Sequence, residues 1–202
     1  MNFFETIFLN LGFSWTAAKL IPYLMMALLG FILVYTFHRK IQHRVKKWLS
    51  MAILCLLPFG AYFAIYPIYQ GDFINVHFQP KQLEKFPSKL TLTIVVLPSC
   101  PYCHETIKLM NHLNKSYPKL HIRYVVVAES KQAMHAFRSK LNPQIDVQTS
   151  KKPKDWIIMA QGGFPCMILS KNKNIIYAWE NGSFGVRAID DVINRLDDSN
   201  IH

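Results

Sequence analysis

The sequence predicts an α/β domain, built on a central mixed sheet, that follows two transmembrane helices. A run of β-branched and apolar residues from Thr91 to Val96 has the length and composition of a buried strand. After Cys103 the apolar period changes to that of a helix, which Pro118 ends. Two long apolar stretches precede this region. We therefore expect a membrane segment that is followed along the chain by a folded α/β domain.

The membrane segment consists of Leu20–Phe37 and Trp48–Tyr69. At about 1.5 Å per residue, each stretch is long enough, or nearly so, to span a hydrocarbon core. The first dozen residues are also apolar, which predicts a short interfacial helix. The predicted organisation is an N-terminal segment over 1–19, a two-helix anchor over 20–69 with a loop over 38–47, a linker over 70–89 and the α/β domain over 90–202.

The loop between the two spans predicts the orientation of the chain. It contains only basic charges, whereas the N-terminal flank holds the acidic Glu5 before Lys19. Basic loops stay on the cytoplasmic side, where they also face anionic lipid. We therefore expect the N-terminus and the α/β domain on the periplasmic or extracellular side of a bacterial inner or plasma membrane. The basic residues of the loop are Arg39, Lys40, Arg44, Lys46 and Lys47.

The remaining charge does not indicate a nucleic-acid site. The whole chain carries a formal charge of +11, and the loop accounts for five of these positive charges. Elsewhere the lysines are interspersed with acids, and no module combines basic with aromatic residues. Lipid is therefore an expected partner, and nucleic acid is not.

The segments after the membrane predict the order β-α-β-α-β-β-α. The linker contains Gly71 and two prolines, but its alternating Ile74, Val76 and Phe78 could add an edge strand. Residues 144–154 are polar and are expected to form an insert, which either borders a substrate groove or is an ordinary surface excursion. The other predicted elements are a strand over 121–127, a helix capped by Ser130, a helical turn over 155–160, a hairpin of 167–170 with 174–179, and a helix over 186–196.

Cys100-Pro101-Tyr102-Cys103 lies where the predicted strand gives way to a helix. The first turn of a helix presents unpaired N–H groups and the positive end of its dipole, so an ionised Cys100 would be stabilised there. Pro101 suits this turn because its missing N–H would have no partner. Cys103, one turn later, is expected to be more sheltered. The pattern predicts a dithiol/disulfide couple.

Strand, cysteine tetrad and helix resemble the active site of the thioredoxin-like superfamily, and the Pro-Tyr dipeptide is common in glutaredoxins. Gly162-Gly163-Phe164-Pro165, followed by apolar residues, resembles the loop whose cis-proline faces the cysteine pair in that fold. The resemblance covers Lys89 to the C-terminus. It implies a thioredoxin-like domain and a thiol-disulfide oxidoreductase.

The resemblance also implies roles for individual residues. Cys100, Cys103 and Pro165 are the expected catalytic residues, and Pro101, Tyr102 and Phe164 are expected to border the substrate groove. Protein thiols or disulfides are the expected substrates, a separate membrane or soluble protein is the expected redox partner, and neither cofactor nor metal is expected.

Two other functions fit parts of the sequence. Cys100 to His104 also spells C-x-x-C-H, the attachment signature of c-type haem, with His104 as one axial ligand. The second ligand would then be one of four methionines: Met110, Met134, Met159 or Met167. The other alternative is a non-catalytic adaptor that chaperones a partner or delivers a metal through the two thiols.

Three residues near or outside the tetrad have open roles. His104 is expected to be a solvent-facing helix residue that could modulate Cys100 when charged. Cys166, directly after Pro165, is either a third redox thiol or a small apolar strand residue, and the second interpretation is favoured. Cys55 lies within the second span and is expected to be too far from Cys100 to resolve it.

Overall fold

The computed structural model of the chain describes residues 3–38, 44–66, 72–128 and 131–198. The chain divides into two compact units, Met1–Gln70 and Gly71–His202. Residues 39–43 of the predicted basic loop and the predicted cap Ser130 lie outside the described residues. For residues 44–47, the last four of the loop, only the backbone is described.

The first unit is helical. Its elements are α1 (Phe3–Asn10), α2 (Trp15–Phe37) and α3 (Arg44–Ile65). The start of α2 precedes the predicted Leu20 because the Ser14 side chain caps the helix, accepting a hydrogen bond from the Ala17 N–H at 3.2 Å. The ranges Trp15–Phe37 and Trp48–Ile65 are long and apolar enough to cross a membrane.

Close backbone contact joins α2 to α3. A Cβ added to Gly30 would lie 2.7 Å from the Cys55 carbonyl oxygen. Glycine therefore allows the two helices to approach to a distance that any side chain would prevent. At the other end of the unit, Lys19 of α2 forms an ion pair with the buried Glu5 of α1 at 2.9 Å.

The second unit is an α/β domain. Its elements are β1 (Thr91–Val96), α4 (Pro101–Ser116), β2 (His121–Val126), α5 (Lys131–Arg138), β3 (Asp146–Thr149), α6 (Pro153–Met159), β4 (Cys166–Lys171), β5 (Asn174–Glu180) and α7 (Val186–Asp198). The strands form a mixed five-stranded sheet in the order β3-β2-β1-β4-β5, in agreement with the predicted fold class. Central β1 is parallel to β2 and antiparallel to β4.

The two faces of the sheet bury different sets of side chains. Tyr124 of β2 contacts α4 through Thr106. The alternate strand positions, such as Val95 and Val125, form a cluster on the opposite face with Phe86 and Trp156 of α6. All six residues of β1 are buried, because helices and their connections cover both faces of the central strand.

One strand is absent from the sequence prediction. Residues 144–154 were expected to be a polar surface insert, but Asp146–Thr149 forms edge strand β3, parallel to β2. Only Val147 of this strand is buried, so the apolar alternation that identifies strands is too short to detect. The helical turn predicted over 155–160 is confirmed as α6.

The segment before β1 packs on the second unit. Phe78 forms an isolated β-bridge with Ala178 of β5, whereas the edge strand that the alternating pattern suggested does not form among the described residues of the segment. The Trp179 indole N–H donates to Asn75 Oδ1 at 2.8 Å. The segment is thus attached to the domain by backbone and side-chain hydrogen bonds.

We expect Gly30→Ala to destabilise the helical unit by about 1 to 3 kcal/mol, the usual cost of overpacking, because the new methyl group collides with a backbone carbonyl. Gly60→Ala is the matched control, since nothing lies within 4 Å of its added Cβ. Removing this helical glycine should stabilise the chain by up to about 1 kcal/mol. Thermal unfolding of the full chain in detergent measures both effects. Equal effects of the two substitutions would contradict the close packing.

Candidate active site

The last residues of β1 lead directly to Cys100. The buried strand ends at Val96, and the Cys100 N–H donates to the Leu97 carbonyl at 3.3 Å, which forms the turn. Cys100 is the N-cap of α4 with extended backbone angles, and Pro101 follows in the first turn. The predicted position of the first cysteine, between strand and helix, is confirmed.

The sulfur of Cys100 caps the helix. It accepts a hydrogen bond from the Cys103 backbone N–H at 3.3 Å. Cys103 is fully buried, whereas Cys100 is partly exposed, and both are free thiols. Burial, followed by the hydrogen bond with Cys100, raises the pKa of the Cys103 thiol to about 12. Cys103 therefore stays protonated at neutral pH, and Cys100 is the more accessible of the two sulfurs.

The loop Gly162–Pro165 lies across from Cys100. The Phe164–Pro165 peptide is cis, and the Cys100 thiol donates to the Phe164 carbonyl at 3.8 Å. Gln161 and Gly162 have positive φ angles of 51° and 76°, which allow the chain to reverse at the end of α6. The Phe164–Pro165 peptide is thus cis, as predicted, and its loop contacts Cys100.

The residues that follow Cys100 and those of the proline loop differ in exposure. Tyr102 is 59% exposed, and Pro101 is also exposed. Phe164, whose carbonyl contacts Cys100, is partly exposed, while Pro165 is buried. The first turn of α4 and the proline loop therefore both present apolar side chains near the Cys100 sulfur.

His104 was expected to be a solvent-facing residue of the helix, and that prediction is wrong. Its ring stacks on Phe137 of α5 at 4.6 Å with an interplanar angle of 8°. Its Nε2 lies 3.1 Å from the Pro98 carbonyl oxygen, which requires a proton on Nε2. The ring therefore joins α5 to the turn that carries Cys100, and its other nitrogen, Nδ1, is buried without a hydrogen-bond partner among the described residues.

Cys166 is buried on the sheet face opposite α4. It is fully inaccessible and packs in the cluster that contains Val95 and Trp156. Burial, followed by the charge of Glu180, raises the pKa of the Cys166 thiol to about 12. These observations favour the small apolar strand residue over a third redox thiol.

The residues needed for haem are engaged elsewhere. His104 would have to leave both Phe137 and the Pro98 carbonyl to act as an axial ligand. Three of the four candidate methionines are core residues that are at most 2% exposed: Met110, Met159 and Met167. Among the described residues, no group of three or more His, Cys, Asp or Glu side chains could hold a metal ion.

Sequence reasoning missed a polar pair beneath Cys103. The Thr106 hydroxyl donates to the Cys103 carbonyl at 2.8 Å and lies 2.9 Å from the Tyr124 hydroxyl. Both side chains are buried, and burial raises the pKa of Tyr124 above its ordinary value. The pair fixes the first turn of α4 against β2. A threonine on the otherwise apolar face of the helix was the signal available in the sequence.

Comparisons with known proteins identify structures but no sequence relatives. No family model matches the chain, and no curated protein matches it. A secreted Mycobacterium tuberculosis disulfide oxidoreductase homologous to E. coli DsbE is 13% identical, with 54% of this chain and 82% of that chain covered and a TM-score of 0.44.

Two further solved structures have similar values. StoA from Bacillus subtilis is 15% identical, with 59% and 98% of the two chains covered and a TM-score of 0.42. The thioredoxin domain of a thiol-disulfide oxidoreductase from Bacteroides vulgatus is 12% identical, with 61% and 97% covered and a TM-score of 0.42. The chemistry of this chain has to be inferred from its own residues.

We expect Cys100 to react first when the reduced full chain is treated with iodoacetamide at neutral pH. Cys103 and Cys166 are inaccessible and remain protonated, so their alkylation should be slower by about tenfold or more, since only an exposed thiolate reacts. Peptide mass spectrometry quantifies each cysteine separately, and unfolding in guanidinium should remove the difference. Alkylation of Cys166 as fast as that of Cys100 would contradict the described burial.

Proposed function

We propose that this chain is a membrane-anchored thiol-disulfide oxidoreductase that exchanges disulfides with protein substrates outside the cytoplasm. The observation that carries the proposal is the position of the partly exposed Cys100 sulfur. It caps α4 opposite the cis-Pro165 loop, one helical turn from the buried thiol of Cys103. An accessible sulfur beside a sheltered one provides the attacking and resolving groups that exchange requires.

In the reducing direction, the Cys100 thiolate attacks one sulfur of a substrate disulfide. A Cys100–substrate disulfide forms, and the other substrate sulfur leaves as a thiolate that takes up a proton. Cys103 then loses its proton and attacks Cys100 Sγ, which releases the second substrate sulfur. The substrate gains two electrons, and the chain retains a Cys100–Cys103 disulfide.

In the oxidising direction the same bonds form and break in reverse order. A substrate thiolate attacks Cys100 Sγ of the disulfide, Cys103 leaves, and a second substrate thiol releases Cys100. The direction in the cell depends on the reduction potential of the couple relative to its partners.

Regeneration of the couple requires a separate redox partner. The sequence holds four cysteines, of which Cys55 alone belongs to the apolar helices. One thiol cannot form an intrachain disulfide within the membrane unit, and Cys166 is buried away from α4. A separate redox partner therefore has to supply electrons to the Cys100/Cys103 couple in the reducing direction, or accept them in the oxidising direction.

The exposed apolar side chain next to the cysteine pair suits a protein substrate. Tyr102, two residues after Cys100, is 59% exposed, and burying such surface favours association. The backbone next to Pro165 provides an edge against which an extended substrate segment can lie. Phe164 and Pro101 would then contact the residues that flank the substrate cysteine.

Replacing the resolving cysteine should trap this reaction halfway. In Cys103→Ser the mixed disulfide on Cys100 cannot be resolved, so covalent protein adducts should accumulate in cells and disappear after reduction. Cys100→Ser should form at least about tenfold fewer adducts, because the attacking thiolate is absent. Non-reducing electrophoresis with mass spectrometry identifies the adducts.

Cys166→Ser is the matched control, and it should trap no more than the unmodified chain because this residue is fully buried and a substrate cannot reach it. A Cys103→Ser chain without adducts would favour the adaptor function over exchange.

The anchor should place the exchange domain outside the cytoplasm. The basic loop between α2 and α3 is expected on the cytoplasmic side. The residues before α2 and those after α3 therefore face outward. An impermeant maleimide added to intact cells should label the unmodified chain at Cys100. A Gln42→Cys/Cys100→Ser double variant, whose introduced cysteine lies in the loop, should be labelled only after lysis, and Cys100→Ser alone identifies background labelling. Loop labelling in intact cells would contradict this topology.

A further inference from the structure

A buried cation lies on the sheet face opposite α4. Arg123 of β2 is only 8% exposed, and its guanidinium lies 5.5 Å from the Phe86 ring centroid and 5.7 Å from that of Trp156. Both aromatic faces attract a cation, and they hold the planar group in position. Burial of a charge is nevertheless costly unless a counter-charge accompanies it.

The protein satisfies this guanidinium only in part. Nη2 donates to Thr93 Oγ1 at 3.2 Å, while Nε is buried without a hydrogen-bond partner in the part of the chain that the structure describes. No described carboxylate forms an ion pair with Arg123. Burial lowers the pKa of Arg123, and the charges of Asp146 and Glu84 act in the opposite direction from a distance. Arg123 thus keeps donors that lack an acceptor.

Arg123 lines a cavity of about 220 Å³ beside β3. Its lining carries three cations and one carboxylate, so the walls have a formal charge of +2. The lining includes Glu84, Lys85, Arg123, Gln148, Ser150 and Lys151. Lys85 and Lys151 are exposed at the rim, which attracts anions from solution.

Ser150 supplies a second fixed donor. The residue is 7% exposed, and its backbone N–H is bonded to the Val126 carbonyl at 3.0 Å. Its Oγ accepts from the Lys152 N–H at 3.2 Å. Since Oγ already accepts this bond, its own proton can be donated to a ligand. A neutral donor and a guanidinium therefore line the same cavity.

We propose that this cavity binds a tetrahedral oxyanion of the phosphate class, either free phosphate or the phosphate of a lipid head group. The guanidinium fork matches the oxygens of such a group, and the charge of the walls balances a divalent anion. A single carboxylate would compensate only half of that charge. None of the lining residues belongs to the cysteine pair or the proline loop, so this site is separate from the exchange site.

Glu84 is the internal competitor for Arg123. It lines the same cavity without forming an ion pair in the described structure. If the cavity is an anion site, Glu84→Gln should tighten phosphate binding because it removes a like charge. If Glu84 is the true counter-ion, Glu84→Gln should instead lower the melting temperature without phosphate and leave phosphate binding unchanged, which would overturn the proposal.

The test uses the full chain in a phosphate-free maltoside detergent, with calorimetric titration and thermal unfolding. Sodium phosphate should bind saturably and raise the melting temperature, because it binds the folded state alone. Chloride or acetate at equal ionic strength should not. Dioctanoyl phosphatidic acid, compared with phosphate, distinguishes the sources, since a lipid head-group site should bind it more tightly.

Variants identify the site. Arg123→Met, which fills the same space without charge, should weaken phosphate binding by about tenfold or more. Lys151→Gln, at the exposed rim, should weaken it without affecting folding, and Lys108→Gln, an exposed lysine of α4 away from the cavity, should leave it unchanged. Absence of phosphate binding, or binding that survives both Arg123→Met and Lys151→Gln, would overturn the proposal.

Discussion

The hydrogen bond from the Cys103 N–H to Cys100 Sγ depends on where the buried strand β1 ends. All six residues of β1 are inaccessible, and its pairing with β2 and β4 fixes its register. The turn after Val96 therefore has little freedom, and it delivers Cys100 to the start of α4. Thr106 and Tyr124 hold that first turn from beneath. The position of the Cys100 sulfur is thus set by packing in the buried core.

Much of this arrangement could be predicted because it depends on local patterns. The β-branched run of β1, the change of period after Cys103 and the proline of Phe164–Pro165 are all visible in the sequence. The resemblance to the thioredoxin-like superfamily placed these elements opposite each other. The described structure agrees in the cis peptide and in the contact with Cys100.

Features that depend on distant partners could not be predicted. Edge strand β3 has only Val147 buried, so its short pattern resembles a loop. His104 was expected in solvent because its helical position gives no sign of Phe137, which comes from α5. Arg123 similarly alternates within an apolar strand, and only the fold brings Phe86 and Trp156 to its guanidinium. In each case the missing information was the distant segment that the fold brings alongside.

The two faces of the sheet in the second unit differ in what they hold. One face supports α4 and the partly exposed Cys100 sulfur, and the other buries Cys166 and holds a guanidinium beside a basic cavity. The packed sheet therefore separates the proposed exchange site from the proposed anion site. The three N-terminal helices belong to the other compact unit.

The reduction potential of the Cys100/Cys103 couple tests the central claim most directly. The full chain is equilibrated with dithiol and glutathione redox buffers, quenched with acid, alkylated and analysed by peptide mass spectrometry. We expect one two-electron transition to an intramolecular Cys100–Cys103 disulfide, while Cys55 and Cys166 stay reduced. The reduction potential of this couple should lie between about −270 and −120 mV, as in known exchange proteins. A pair that stays reduced throughout this range, or that oxidises only through Cys55 or Cys166, would contradict it.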